Sequence, residues 1–214
     1  MPTHHRRGLR SPVAAAAVIL TLFLCNPAAA AKPKKVGRAI ITFYWTIDES
    51  WSRYRGKAPS AVPRDPAGRV IAQTSKRFKR DLVKQGTGVL RDGRTVFYVR
   101  RIASESRFRV TRSKYGLGST GCPLIPYRTV AVDPHFVRLG SKLYIPQLKG
   151  AHLPDGTIHD GMFIAGDNGR FRGAHVDVFA GDGPRGARPF IRKGYGSRSH
   201  VTVYIAGRST DCRP

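Results

Sequence analysis

The stretches YRTVAVDPHFVRLGSKLYIP (127–146) and GMFIAGDNGRFRGAHVDVFAG (161–181) carry the clearest structural signal in the chain. Both contain short runs of β-branched and aromatic residues separated by Gly, Pro, Asn and Asp, which is the pattern of strands and turns. Three aspartates, Asp133, Asp167 and Asp177, lie within or at the end of these runs. Carboxylates are scarce here, with 13 Asp and Glu against 38 Lys and Arg. Their position in apolar segments therefore needs a chemical explanation.

The apolar setting of these aspartates affects their acidity. A carboxylate beside Val, Ile, Phe and Ala loses hydration, which raises its pKa. A carboxyl group with a raised pKa can hold a proton near neutral pH and act as a general acid. Asp177 is the strongest candidate because it interrupts the strand-like run HVDVF. A turn role is the alternative for Asp133 and Asp167, and an outward-facing strand position is the alternative for Asp177.

Strand signals recur at short intervals along much of the chain. They predict six strands, at 39–45, 127–133, 142–146, 162–167, 174–179 and 200–206. This spacing favours an all-β barrel or sandwich. Residues 32–37 (KPKKVG) are predicted to be a basic linker, and residues 38–214 a single domain. Residues 47–125 would then form a large insertion after the first strand.

The insertion has local signals of its own. Residues 69–74 are a possible strand, and residues 75–84 a short helix that Ser75 caps and Gly86 ends. Residues 89–99 (VLRDGRTVFYV) resemble a hairpin, and Asp92-Gly93 suits a type I′ turn.

The first 31 residues have the layout of a secretory signal peptide. A basic segment (4–10) precedes an apolar segment (12–24), and small residues follow at 26–31. The apolar segment is too short to span a bilayer with ease. We therefore predict that it is removed, that no stable membrane span remains, and that the protein is secreted to the periplasm or cell wall. A retained N-terminal anchor is the alternative.

The charge of the chain predicts anionic partners. The formal net charge is +25, and removing the segment with Arg6, Arg7 and Arg10 leaves +22. Behind a signal peptide, the expected partners are anionic cell-envelope polymers. Nucleic acid is not expected, since no Lys/Arg-rich amphipathic helix or aromatic RNA-binding motif stands out.

Two cysteines remain after the predicted cleavage, Cys122 and Cys212. An exported pair can oxidise, and a disulfide between them would close a loop of about 90 residues. Two unpaired thiols are the alternative. No CxxC or CxxH spacing indicates a zinc site.

The order of the motifs resembles a known family. The pattern Ala-Val-Asp-Pro, then Leu-Gly-Ser before an apolar strand, then Asp-Asn-Gly-Arg, then Val-Asp-Val-Phe is similar to the three-aspartate (3D) domain. This domain forms the catalytic barrel of the membrane-bound lytic transglycosylase A family and of smaller muralytic proteins. Arg170 stands where the family pattern ends its second motif in Gly.

The resemblance implies a six-stranded double-psi β-barrel that acts on peptidoglycan glycan strands without a metal or organic cofactor. It implies that Asp133, Asp167 and Asp177 are the three family aspartates, and that Asp177 is the catalytic acid/base. The activity implied is lytic cleavage of the MurNAc–GlcNAc β-1,4 bond, in which the C6 hydroxyl of MurNAc attacks its own C1. One carboxyl group could then perform both proton transfers.

Several residues near the motifs are candidate ligands for the substrate. Asn168 and Gly169 could bind sugar hydroxyls, and Arg170 and Arg172 could bind carboxylates of the peptide stem. Lys142, in the apolar run SKLYIP, could lie near the aspartates or extend to the surface. The aromatic residues of the first strand could stack on sugar rings, although core packing is more common for such residues.

Two further interpretations remain open from the sequence. Asp133-x-His135 and His175-x-Asp177 each place two metal-ligand side chains on one strand face, which is a weak signal for zinc. A non-catalytic barrel module that binds cell-wall polysaccharide is the main rival to an enzyme, because the positive charge alone would favour adhesion to an anionic wall.

Overall fold

The longest described element is a fifteen-residue strand, which pairs with strands of a barrel and with a strand of the insertion. A computed structural model describes residues 32–56, 58–209 and 211–214, so the predicted signal peptide lies outside the described residues. The elements, in chain order, are β1 (Lys34–Asp48), α1 (Lys76–Gln85), β2 (Thr87–Val89), β3 (Thr95–Ile102), β4 (Glu105–Thr111), β5 (Thr129–Val132), β6 (Ser141–Tyr144), β7 (Met162–Asn168), β8 (His175–Asp182), α2 (Arg188–Arg192) and β9 (His200–Arg208).

Six of these strands close into a barrel. Their order around the ring is β1-β8-β5-β7-β6-β9, and β9 pairs with β1 to complete it. The β1–β8 and β5–β7 pairs are parallel, and the other four are antiparallel. Each of the six strands predicted from the sequence is present. The prediction of a mostly β, six-stranded barrel is therefore confirmed, and its connections are compatible with a double-psi topology.

The barrel interior explains why these segments are strands. In β1, Ala39, Ile41 and Phe43 are buried at every second position, as expected for one face of a strand. They pack with apolar residues from all the other barrel strands and with Phe190 of α2. This single core fixes the register of each strand, because a one-residue shift would expose its apolar face.

The insertion packs around the far end of β1. Ile47 and Asp48 pair in parallel with β2, which begins a small antiparallel sheet of β2, β3 and β4. A second apolar cluster lies here, with Ile47, Phe78 and Phe108 almost fully buried. The insertion therefore has its own core, joined to the barrel through β1.

The local signals of the insertion are reproduced with one correction. The Ser75 side chain accepts a hydrogen bond from the Phe78 N–H, and Gly86 ends α1 with φ 83°. The predicted hairpin forms between β2 and β3, but its turn is not of type I′. Only Gly93 of the Asp92-Gly93 pair has a positive φ, and its N–H donates to the Leu90 carbonyl. A type I′ turn needs a positive φ at both central residues, which is costly for a residue with a Cβ.

Three segments differ from the sequence interpretation. Residues 34–37, predicted to be linker, pair with β9 as the start of β1. The segment 69–74 forms only isolated bridges, Ala61 with Thr74 and Arg64 with Val70. The Arg-rich segment after residue 100 contains β4, whose long basic side chains concealed the alternation of a strand.

Cys122 and Cys212 are joined by a disulfide that spans 90 residues of sequence. The bond connects the C-terminal segment to the Gly-rich loop before β5. In the described ranges, no helix combines the length and apolar character needed to cross a membrane.

Candidate active site

Four neighbouring barrel strands place four residues in one row. Ala131 of β5 pairs with Asp177 of β8 on one side and with Asp167 of β7 on the other, and Thr42 of β1 pairs with Asp177. Residues in register on adjacent strands project to the same face of a sheet. The two aspartates, ten positions apart in sequence, therefore face the same side with only the methyl group of Ala131 between them.

A β-bulge brings Asp167 into this row. Val130 pairs with Ala165, but the next β5 residue, Ala131, pairs with Asp167, so Gly166 is the extra residue. Bulges redirect side chains, and they occur often beside functional sites. The Gly166 carbonyl accepts hydrogen bonds from the backbone N–H and the hydroxyl of Thr120, at 3.2 and 3.0 Å. The Gly-rich loop before β5 thus holds the bulge in place.

Asp167 is surrounded by donors. Ser119 donates to its Oδ1 from the backbone N–H at 3.0 Å and from the hydroxyl at 2.7 Å. The Tyr44 hydroxyl donates to Oδ2 at 3.3 Å, and the Asn168 N–H lies 2.8 Å from Oδ1. Burial raises the pKa of Asp167, and these hydrogen bonds oppose the rise because they favour the carboxylate.

Asp177 has fewer donors, and its pKa is also raised. The Thr42 hydroxyl donates to its Oδ1 at 2.7 Å. Burial raises the pKa of Asp177 to about 6, with a further contribution from the negative charge of Asp167. The two environments differ in their donors: several hydrogen bonds favour the anion of Asp167, whereas a single hydroxyl donates to Asp177.

A histidine extends the contacts of Asp177. His175 Nε2 lies 2.7 Å from Thr42 Oγ1. When the hydroxyl proton of Thr42 is directed to Asp177, the His175 tautomer with its proton on Nε2 can donate to Thr42 Oγ1. The His175 ring stacks on Phe171 at 3.8 Å, and burial lowers its pKa. The chain His175–Thr42–Asp177 orients the carboxyl group toward the groove.

Asp133 has a different setting. It is buried, and its carboxylate accepts the Gly173 N–H at 2.6 Å and the His135 N–H at 3.0 Å. These two backbone hydrogen bonds lower its pKa. Asp133 is not among the described residues that line the groove. Its contacts indicate that it anchors the loop between β7 and β8, which follows Asn168 and carries Gly169 and Arg170.

A groove of about 970 Å³ opens over the two aspartates. The barrel forms one wall, with Asp167, Asp177 and Ala131, and the insertion forms the other, with residues from α1, β3 and β4. Tyr44 also lines it, as does the Gly-rich loop at Ser119. The volume is near the upper end of the range for small-ligand sites.

The structure separates the candidate substrate ligands into two groups. Asn168, Gly169 and Arg170 line the groove. Arg172 and Lys142 are not among the described lining residues. Lys142 is excluded because β6 lies on the far side of β7, where its charge acts on Asp211. Arg172 is exposed on the loop that Asp133 anchors.

The structure bears on two further hypotheses, that early aromatic residues stack on sugar rings and that His and Asp side chains bind zinc. Of the early aromatic residues, Tyr44 reaches the groove, whereas Trp45 and Trp51 pack against the insertion core. Within the described residues, no group of three or more His, Cys, Asp and Glu side chains is placed to hold a metal ion. His175 instead contacts Thr42 and Phe171.

Sequence reasoning missed Thr42 and Ser119. Thr42 and Tyr44 are two residues apart on β1, so they share a face, and this alternation was a usable signal. Ser119 lies in the segment GLGSTGCP, which had no recognisable chemical pattern. Ser119 reaches Asp167 because the preceding residue, Gly118, packs closely against the Gly166 carbonyl oxygen. A Cβ at position 118 would clash with that oxygen.

Comparisons with known proteins agree with this geometry. Residues 128–206 match the family model of the 3D domain. A comparison with curated protein sequences finds no significant match. Among solved structures, E. coli MltA with bound chitohexaose is similar, with a TM-score of 0.50, 14% identity, and coverage of 79% of this chain and 71% of that one.

A second solved structure gives the same result. The membrane-bound lytic murein transglycosylase of Agrobacterium tumefaciens is similar with a TM-score of 0.50 and 16% identity, over 79% of this chain and 74% of that one. At this identity the likeness establishes the fold. Residues 128–206 are therefore similar to the 3D domain, and the fold of the chain is similar to that of the two lytic transglycosylases.

Proposed function

We propose that this protein is a peptidoglycan lytic transglycosylase that cleaves the MurNAc–GlcNAc β-1,4 bond and forms 1,6-anhydro-MurNAc. The observation that carries this proposal is the pair Asp167 and Asp177, two buried carboxyl groups with raised pKa values that face one groove. A fold shared with proteins named as lytic transglycosylases supports it. We further propose secretion to the periplasm or cell wall, which rests on the predicted signal peptide.

Asp177 is the proposed acid/base. Its protonated carboxyl group donates to the glycosidic oxygen as the bond from that oxygen to C1 of MurNAc breaks. The resulting carboxylate then accepts the proton of the C6 hydroxyl as O6 bonds to C1. The proton returns to Asp177, no water is consumed, and the carboxyl group is ready for another cycle. A pKa of about 6 suits both steps.

Asp167 is proposed to act as a fixed negative charge. The donors from Ser119 and Tyr44 favour its ionised form. An anion beside the sugar stabilises the positive charge that develops at C1, and it also raises the pKa of Asp177. This division of roles differs from that in ordinary glycosidases, where two carboxyl groups at a set separation both take part in the chemistry.

A digest of purified sacculi tests the proposal. Mass spectrometry of the wild-type digest should show anhydro-muropeptides, and Asp177→Asn should remove them. Asp155→Asn, which changes an exposed aspartate outside the groove, is the matched control and should keep the activity. Above about pH 6 the wild-type kcat should fall about tenfold per pH unit, because the acid form of Asp177 is lost.

The same digest separates the enzyme from its rivals. Products with ordinary reducing ends would indicate a hydrolase and overturn the anhydro mechanism. Binding of sacculi without any cleavage would favour a non-catalytic wall-binding module, for which the net charge of +25 is the supporting observation.

A further inference from the structure

The groove has an excess of positive charge that the proposed chemistry does not use. Four cations line it, Arg80 and Lys84 of α1, Arg109 of β4, and Arg170 of the loop after β7. The only carboxylates among the described lining residues are those of Asp167 and Asp177. The cations come from three separate elements. The insertion supplies three of them, so it contributes most of the charge.

These cations are exposed and largely without partners. Among the residues that the structure describes, Lys84, Arg109 and Arg170 form no salt bridge, whereas Arg94, Arg107 and Arg128 elsewhere all pair with carboxylates. Arg80 has only a 3.5 Å contact with the neighbouring Asp81, and 73% of its side chain is exposed. Unpaired guanidinium groups beside a groove are suited to hold a planar anion in two hydrogen bonds.

The position of Arg170 connects the two walls. Its guanidinium lies over the ring of Tyr98 in β3, with Cζ 4.9 Å from the centroid. A residue of the barrel loop thus contacts the insertion. Arg109 lies nearby in the strand that pairs with β3, directly opposite Phe97. Lys84 is close enough to Asp177 for its charge to lower the pKa of that carboxyl group. The four cations therefore line the same groove as Asp177, and Lys84 lies close to its carboxyl group.

The sugar rings themselves cannot use this charge. N-acetylated hexosamine rings are neutral, and a glycan without stems offers a single carboxylate per disaccharide, on the lactyl group of MurNAc. The peptide stems on the lactyl groups of MurNAc carry several carboxylates, and they leave the glycan on either side of the bond to be cut. A wall of cations beside a glycan groove matches that arrangement of charge.

We propose that the insertion wall, with Arg80, Lys84, Arg109 and Arg170, binds the stem-peptide carboxylates of peptidoglycan. The chain then prefers stem-bearing glycan to glycan from which the stems have been removed. This inference rests on the proposed function and specifies its substrate. The inference also gives the insertion, residues 47–125, a role: it supplies the wall of the groove that binds the stem peptide.

Two matched substrates test this inference. Glycan strands are prepared from sacculi with their stems intact, and a second portion is stripped with an amidase that cuts the bond between lactyl group and peptide. The stripped strands keep only the single lactyl carboxylate on each MurNAc and lose the several carboxylates of the stem. The rate of anhydro-product formation gives kcat/KM for each. We expect the kcat/KM of the wild type to be at least about tenfold higher for stem-bearing strands, mainly because KM is lower. A tenfold ratio corresponds to about 1.4 kcal/mol. The preference should decrease as salt is added, because exposed ion pairs are screened.

Variants then locate the source of the preference. The combined change Lys84→Gln, Arg109→Gln and Arg170→Gln should bring the ratio of the two kcat/KM values close to one. The control Arg138→Gln, Arg192→Gln and Lys193→Gln removes the same charge from exposed positions outside the groove and should keep the ratio. Single variants, each expected to lower the ratio by a few-fold, are used if the triple variant has a lower melting temperature.

Each outcome is decisive. Equal cleavage of both substrates by wild type, or a preference that survives the groove variant, would overturn the inference and leave the proposed function intact. Absence of anhydro products from both substrates would instead remove the proposed function, and this inference with it. Tighter binding of glycerol-phosphate teichoic acid than of stem-bearing glycan, lost in the same groove variant, would assign the wall to phosphate and overturn the carboxylate assignment.

Discussion

Replacement of Asp177 by Asn should stabilise the protein at neutral pH while it removes the proposed acid. In the folded protein, burial is the main cause that raises the pKa of Asp177 from its ordinary value of 3.8 to about 6. The folded state therefore binds this proton more tightly than the unfolded chain does. The contribution of Asp177 to stability is therefore largest below about pH 4, decreases as pH rises toward about 6, and is lost above it.

The size of the effect follows from the shift. About two pKa units at about 1.4 kcal/mol each give a cost of about 3 kcal/mol for the ionised carboxyl group. Asn carries no charge, so it avoids both the loss of hydration and the repulsion from Asp167. It also keeps an oxygen that can accept the Thr42 hydroxyl. The substitution should be nearly neutral at pH 4 and stabilising by up to about 3 kcal/mol at pH 8.

Urea unfolding at several pH values, with the disulfide intact, measures this difference. Asp155→Asn is the control, because its hydrogen bonds with Thr157 lower the pKa of Asp155. Asp155→Asn should change the free energy of unfolding in the opposite direction, because it lowers stability at neutral pH relative to acid pH. If Asp177→Asn changed stability equally at pH 4 and pH 8, the raised pKa would be wrong. The assignment of Asp177 as the acid would then lose its physical basis.

Three further predictions test the surroundings of the site. Thr42→Val removes a donor that favours the ionised form of Asp177, so the alkaline limb of the kcat profile should move up by about one pH unit. Asp133→Ala removes the acceptor of two backbone hydrogen bonds and should lower the free energy of unfolding by about 1–3 kcal/mol, as urea titration would show. Replacing Cys122 and Cys212 with Ser should lower it by about 4–5 kcal/mol in the chain-entropy estimate for a 90-residue loop, and an unchanged unfolding midpoint would contradict the bond.

Much of the fold was predictable because its signals are local. Alternation of apolar residues marked the barrel strands, since side chains in a strand point to opposite faces at every second position. Ser75 and Gly86 marked the two ends of α1 through capping, which involves residues within one turn of the helix. Asp167 and Asp177 were predicted from a local signal too, because a carboxylate within a short apolar segment is unusual.

Local signals failed where the outcome depended on distant contacts. Lys142 and Asp133 both lie in motifs that point to the site, yet Lys142 is on the far side of β7, and Asp133 is turned toward backbone N–H groups. The turn at Gly93 and the extension of β1 into the predicted linker were likewise fixed by pairing partners. β4 was missed because its basic residues obscure the periodicity on which prediction relies.

The amino-acid sequence by itself determined which segments become strands, which carboxyl groups lie in apolar surroundings, and which family pattern they follow. Only the tertiary structure decided that Thr42 meets Asp177 across 135 residues and that Ser119 reaches Asp167 across 48. It also decided that the insertion supplies the second wall of the groove. Strand propensity and the alternation of buried residues depend on a few neighbouring residues, so they are visible in the sequence. An active site instead depends on register and packing between segments far apart in the chain.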